Sequence, residues 1–269
     1  MKTVVFIFYI LYLKFGFSIN KFFKKKTINK NKKNERLLKN FKKNGYVVIN
    51  NFISKKECGI LKKEVDKFYK KHPKLVWLDS SGSEIRIFGA QKISLYFQKY
   101  FDNFFIKSLG EQVFNGKLSN LMVMANRIVA KKNNQGSGSG WHRDAFDFQY
   151  KSILYLNDTG SNNGPFQIIK NTQNFYNVIK DTYKYSLDIS NSRFTNSQIN
   201  KLINSEPKRL KTFTGKAGTL LIVNTSSIHR GKPLKFNIRY ALTNYFYPDY
   251  KVNSMRKHFF PMLNRNYNL

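Results

Sequence analysis

The second half of the chain is cut into short apolar runs, and this punctuation limits the folds open to it. "LMVMANRIVA", "YKSILYLND", "GPFQIIK", "KRLKTFTG", "GTLLIVN" and "IRYALTNYFYP" are rich in β-branched and aromatic residues, with Gly, Asn, Ser and Pro clusters between them. The first half is patterned differently. "GYVVINNF", residues 45–52, reads as a short buried strand, and Ser54 and Glu57 then stand as N-cap and N3 of a capping box. Leu61, Val65, Phe68 and Tyr69 follow at helical spacing until His72-Pro73 ends the helix. A second helix, rich in Phe and Tyr, is expected over residues 96–114. Helices first and many short strands after them predict an α+β chain with a sandwich or jelly-roll core. The polar stretch 171–207 interrupts the strands. It contains a predicted helix after Thr195 and reads as a lid or side insertion.

Composition narrows the chemistry. A 41% hydrophobic and 16% aromatic content over 269 residues suits one folded domain with extensions. Cys58 is the single cysteine, which excludes an intrachain disulfide and a thiolate metal cluster; in the first turn of its helix it reads as a small buried thiol. The formal charge of +33 is attractive to polyanions. No zinc-finger, RNP or basic-zipper pattern accompanies it, so no specific nucleic-acid partner is expected and the charge reads as solvated surface.

The ends divide from the body. Residues 1–20 carry the apolar run "TVVFIFYILYL", open to three readings: a signal peptide with a small-x-small site at Gly16-Phe17-Ser18, a membrane anchor through residues 3–19, or a packed helix. A cytoplasmic domain with a membrane tether is the expectation kept beside the signal peptide. Residues 21–44 read as a basic linker or frayed helix with its charge in solvent, 45–250 as the domain and 251–269 as a basic tail, where His258 has no evident partner. His72 reads as a surface residue at a helix end.

"GSGSGWHRDAFDF", residues 136–148, brings the argument to a site. His142 and Asp144 are two apart in a strand-like stretch, so both point to one side while Trp141 and Arg143 point to the other. A polar loop holding both by chance is the bland reading. With four His and nine Asp in the chain, roughly one such sequence in seven would hold a His-x-Asp by chance, and the pair alone decides nothing. His229 changes the balance, because it stands just past the apolar run "GTLLIVN" and before a turn. Two histidines and one carboxylate form the facial set of non-haem Fe(II) sites, with positions left open for other ligands. Arg239 opens the next run ten residues later, and a buried guanidinium there can grip a carboxylate through two hydrogen bonds.

From about residue 45 to 248 the chain resembles the phytanoyl-CoA dioxygenase family of Fe(II)/2-oxoglutarate oxygenases. The shared stretches are "GYVVINNFISKKE", "WHRD", "ILYLND" with "GPFQII", "GKAGTLLIVNTSSIHRG" and "RYALTNYF". The resemblance implies a double-stranded β-helix with helices from the N-terminal part packed on it. It implies that His142, Asp144 and His229 bind Fe(II), and that Arg239 binds the cosubstrate 2-oxoglutarate. It also implies O2 as oxidant and hydroxylation of a small organic substrate, with succinate and CO2 as coproducts. The Asp144 carboxylate favours hydroxylation over the halogenation of relatives that lack it. Further 2-oxoglutarate contacts are expected from Asn126, Arg127 and Tyr155, for which core or surface strand positions are the alternative. The chain departs from the family at Arg143, where Gln is usual, and at "KNTQ", where Pro-Gly-Ser-His is usual; the second departure touches the substrate side. The basic surface makes an anionic substrate attractive. Two other readings stay open: an inactive basic binding protein on the same fold, and a metal cupin that does not use 2-oxoglutarate.

Overall fold

Alternate residues along each apolar run face opposite sides of a sheet, and here both sides are covered. A computed structural model describes residues 4–12, 34–187 and 191–263. Its first half holds helices α1 (residues 4–12), α2 (Glu35–Asn44), α3 (Lys55–Lys71), α4 (Leu95–Phe101) and α5 (Phe104–Phe114), with strands β1 (Tyr46–Ile49), β2 (Trp77–Leu78) and β3 (Glu84–Phe88). The second half holds strands β4 (Leu118–Val129), β5 (Trp141–His142), β6 (Tyr150–Tyr155), β7 (Phe166–Ile169), β8 (Arg193–Phe194), β9 (Leu210–Phe213), β10 (Leu220–Asn224), β11 (His229–Gly231) and β12 (Ile238–Pro248). Helices α6 (Phe175–Lys184), α7 (Asn196–Ser205) and α8 (Asp249–Leu263) complete it.

The strands form two antiparallel sheets. The larger runs β1-β10-β6-β12-β4-β3-β2 and the smaller β8-β5-β11-β7-β9. Facing each other, they make the jelly roll expected from the sequence. β12 lies central in the large sheet, with Ala241 opposite both Asn126 and Tyr155. Its outer face carries Leu154, Ile222, Leu242 and Val123, packed with Leu61, Val65 and Phe68 of α3 and with Ile106 and Leu109 of α5. Burial of a large apolar side chain contributes about 1.5–3 kcal/mol, so this layer fixes the helices to the sheet. The inner face points at the small sheet and is only partly filled. Tyr155, Phe166, Ile168 and Phe213 close one end of the space between the sheets, and the other end stays open.

Local signals explain much of the helical part. Ser54 Oγ accepts from the Glu57 amide at 3.2 Å and the Ser54 amide donates to Glu57 Oε2 at 2.9 Å, so the capping box forms. Cys58 is buried one turn in; burial, with Glu57 beside it, pushes its thiol up to about 11. The thiol is structural.

The structure differs from the sequence reading in three places. The helix expected over 96–114 is broken at Asp102–Asn103, where Asn103 Oδ1 accepts from the Ile106 amide and starts α5 afresh. Part of the basic linker is α2, whose Phe41 is buried against Tyr150 while Leu37 and Leu38 pack on the same core. The basic tail supplies α8, which lays Val252, Met255 and Phe259 beside Met122 and Tyr245. In both, lysines on the wet face hide a sparse apolar stripe. The stretch 171–207 is a side insertion: β8 extends the small sheet through β5, and α7 starts at a Thr195–Gln198 capping box. Just past its end, Arg209 grips the buried Asp181 of α6 through two hydrogen bonds.

The apolar run at the start of the chain becomes α1, which buries Phe6 and Ile10 against Val178, with Phe146 and Phe175 alongside. No helix among the described residues is long and apolar enough to cross a membrane. The small-x-small stretch 16–18 lies outside the described residues.

Candidate metal centre

The glycine and serine run ahead of His142 has a steric purpose. Gly138 sits at φ +85, and a Cβ there would stand 2.2 Å from Cε1 of His142. Only glycine combines that backbone conformation with that approach. The run therefore delivers β5 to the edge of the open space with its imidazole pointing inward.

Registration does the rest. His142 lies directly opposite His229 across the β5–β11 ladder, and the two ring centroids are 4.2 Å apart. Asp144, two residues on, turns its carboxylate to both: Oδ1 is 3.9 Å from His142 Nε2 and Oδ2 is 4.0 Å from His229 Nε2. One donor atom from each of the three lies within 4.8 Å of the others. Trp141 and Arg143 point the other way, as the strand alternation requires. Trp141 is buried under Arg230, and Arg143 donates to the carbonyls of Thr172 and Ser226 at 3.2 and 3.3 Å.

The tautomers suit a cation. His142 Nδ1 is 2.9 Å from the Gly140 carbonyl and His229 Nδ1 is 2.8 Å from the Ser227 carbonyl. A carbonyl can only accept, so each Nδ1 carries the proton and each Nε2 turns a lone pair to the carboxylate. Burial holds His142 below the usual histidine range, and burial with the His142 ring beside it brings His229 down to about 3. Burial opposes the Asp144 charge, but Lys151, His229 and His142 together outweigh it and hold the carboxyl below the usual range. Two neutral imidazoles and one carboxylate are the protonation states a divalent ion needs.

A consequence follows for the metal-free protein. An imidazole that stays neutral when folded but takes a proton when unfolded loses stability as pH falls below about 6.5 toward 3. Urea denaturation with a chelator present should show that slope, and His229→Gln should flatten it. Equal slopes in the two proteins would contradict the buried, neutral state.

The three side chains line a cavity of about 500 Å³, within the range of small-molecule sites. Arg239 and Asn126 line it too. Arg239 is buried, donates through Nη1 to the Gly164 carbonyl, and has its Nε without a partner. Burial lowers its basicity. Asn126 donates to Glu84 at 2.9 Å and leaves Oδ1 unpartnered, as is Oγ1 of Thr225 on the same wall. Buried polar atoms are normally satisfied, so these three mark a place for a polar ligand.

Two expected contacts do not reach it. Tyr155 shares the inward face, but its hydroxyl donates to the Phe213 carbonyl and accepts from the Phe166 amide, at 2.9 and 2.8 Å, inside the packed end. Arg127 turns outward to Tyr240 and Asp66. Core filling won at Tyr155 because Phe166 and Phe213 close over it.

Several cavity residues escaped the sequence reading. Lys151 Nζ lies 2.7 Å from Asp144 Oδ2 and 4.1 Å from the centre of the Tyr245 ring. Its signal was available: in "YKSILY" it shares the inward parity of Ile153 and Tyr155. Lys251, Met255, His258 and Phe259 of α8 also line the cavity, which gives His258 a place. The two departures at Arg143 and "KNTQ" meet each other. Arg143 holds the Thr172 carbonyl, and the Thr172 hydroxyl accepts from the Ile228 amide at 2.7 Å. The exchanged residues thus brace the turn that carries His229.

A family model described as phytanoyl-CoA dioxygenase (PhyH) matches residues 41–235. Among curated proteins no match is found. Solved structures of like fold include the Fe-bound EctD of S. alaskensis, with TM-score 0.61, 15% identity, and 80% of this chain and 76% of that one covered. HygX of Streptomyces hygroscopicus, with nickel, 2-oxoglutarate and hygromycin B bound, gives TM-score 0.56 at 14% identity over 80% and 88% of the two chains. The α-ketoglutarate-dependent epimerase SnoN of nogalamycin biosynthesis gives 0.58 at 15% identity over 80% and 82%. With the family model spanning most of the chain and the His-x-Asp, His and Arg positions gathered on one cavity, the chain belongs to the phytanoyl-CoA dioxygenase family of 2-oxoglutarate-dependent oxygenases.

Proposed function

We propose that the protein is an Fe(II)- and 2-oxoglutarate-dependent dioxygenase that hydroxylates a small anionic organic molecule, with succinate and CO2 as coproducts. The observation that carries this reading is the convergence of two imidazole Nε2 atoms, their tautomers fixed by backbone carbonyls, on one carboxylate. When bound, iron with 2-oxoglutarate and dioxygen supplies the oxidising chemistry, which no side chain can provide.

The residues supply position and shelter. His142, Asp144 and His229 would hold the ion, a ligand set of the kind that leaves room for a cosubstrate and oxygen. Arg239 would take the distal carboxylate of 2-oxoglutarate, with Asn126 on the same cavity wall. Phe166, whose ring lies 5.4 Å from that of His229, keeps water from the inner side. Asp144 fills the carboxylate position, which favours hydroxyl transfer over halide transfer.

The substrate class comes from the walls. Arg86, Lys151, Arg193, Arg239 and Lys251 line the cavity, and Asp144 is the one acid among the lining residues described. Arg86 is matched by Glu84 and Lys251 by Asp147, but among the described residues the Arg193 guanidinium at the mouth donates to the Gly138 and Ser139 carbonyls and meets no carboxylate. A surplus of positive charge at the entrance draws anions. The test is succinate release from 2-oxoglutarate with Fe(II), screened against matched anionic and neutral small molecules. Release stimulated by an anionic member, with a hydroxylated product, is expected. A preference for neutral members would contradict the substrate class, and no Fe(II)-dependent release under any condition would contradict the activity.

A further inference from the structure

Lys151 stands where an ordinary β-strand would place an apolar residue. Its side chain is 10% exposed on the inward face of β6, among Ile153, Tyr245 and Thr243 on the same cavity wall. An ammonium in such a place costs several kcal/mol unless it is paired. Its pairing is with Asp144 alone among the described residues: Nζ to Oδ2 at 2.7 Å, with the Tyr245 ring beneath. That leaves Oδ1, 3.9 Å from His142 Nε2, as the carboxylate oxygen free of the lysine, while Oδ2, 4.0 Å from His229 Nε2, is the one the ammonium holds.

A carboxylate beside a cation can chelate through both oxygens or bind through one. Chelation would use one of the positions that the cosubstrate and oxygen need. We propose that Lys151 is a positioning residue of the metal centre, clamping Oδ2 so that Asp144 presents a single oxygen to the ion. The ammonium is held in turn by the strand and by Tyr245, so the carboxylate orientation is set by the large sheet while the histidines belong to the small one. Outer partners of metal ligands fix orientation in this way and matter nearly as much as the ligands. The inference rests on the metal-binding reading of His142, Asp144 and His229.

Co(II) provides a readout independent of turnover, because its visible ligand-field spectrum reports coordination number. The full chain, Lys151→Met and Lys151→Arg are loaded with Co(II) and their spectra and thermal melts recorded. The expected result is a weaker, shifted spectrum in Lys151→Met as Asp144 becomes chelating, with the parent spectrum restored in Lys151→Arg. Should Lys151→Met fail to fold, Lys151→Ser, too short to reach Oδ2 but compatible with water in the cavity, gives the same comparison. A folded apolar or Ser variant with the parent spectrum overturns the role of Lys151. A parent chain that takes up no Co(II) overturns the metal reading and this inference together, which separates the two failures.

Discussion

Asp144→Ala ends metal uptake, and 2-oxoglutarate turnover falls by more than about 100-fold, beyond the loss usual for an outer partner of a metal ligand. Two neutral imidazoles remain, without the charge that holds a divalent ion against water. The loss is readable without a substrate. Metal at 100 times its dissociation constant stabilises a protein by about 2.7 kcal/mol, and the variant should gain nothing. A second effect must be separated from the first. Removing the carboxylate strands the Lys151 ammonium, at a cost of about 1–3 kcal/mol, since the Asp144 side chain is 22% exposed and water can partly replace it. The double variant Asp144→Ala, Lys151→Met therefore recovers most of the melting temperature but no metal-dependent gain. Metal stabilisation surviving in either variant would remove Asp144 from the ligand set.

Arg239→Met raises the KM for 2-oxoglutarate on the order of 10²–10³-fold and leaves metal binding close to the parent. Truncating one side of a buried, hydrogen-bonded charge pair costs about 2–5 kcal/mol, and each 1.4 kcal/mol is tenfold. The guanidinium is built for this. It is buried at the start of β12, its Nη1 is anchored on the Gly164 carbonyl, and its Nε is unspent. Lysine should not rescue it, because a point charge cannot reproduce the two-pronged grip. Titration of 2-oxoglutarate against the Co(II)-loaded variant checks this, and an unchanged affinity would show that the cosubstrate is held elsewhere.

What the sequence reveals follows from how local each cause is. The His-x-Asp pair, the distal histidine and Arg239 were legible because strand alternation and turn punctuation are local, and because the spacing matches a known family. The capping box at Ser54 was legible for the same reason. Tyr155 misled because alternation gives the face of a sheet but not the place along it. At the packed end Phe166 and Phe213 claim the hydroxyl through their backbones. The helix break at Asn103 hangs on one side chain accepting from one amide, too small a signal in a run of aromatics. Lys151 went unread because lysines are so abundant in this chain that one more carried no weight. Helix α8 was hidden by the same excess, and α2 was legible only as a linker or frayed helix, since their apolar stripes are three residues or so among many cations.

The most direct test of the central claim is an anaerobic titration of the protein with Fe(II) and then 2-oxoglutarate, followed in the visible range. A weak charge-transfer band should appear when both are present, disappear in His229→Ala, and demand far more 2-oxoglutarate in Arg239→Met. No band in the parent, or a band untouched by His229→Ala, would mean that His142, Asp144 and His229 do not share one ion with the keto acid.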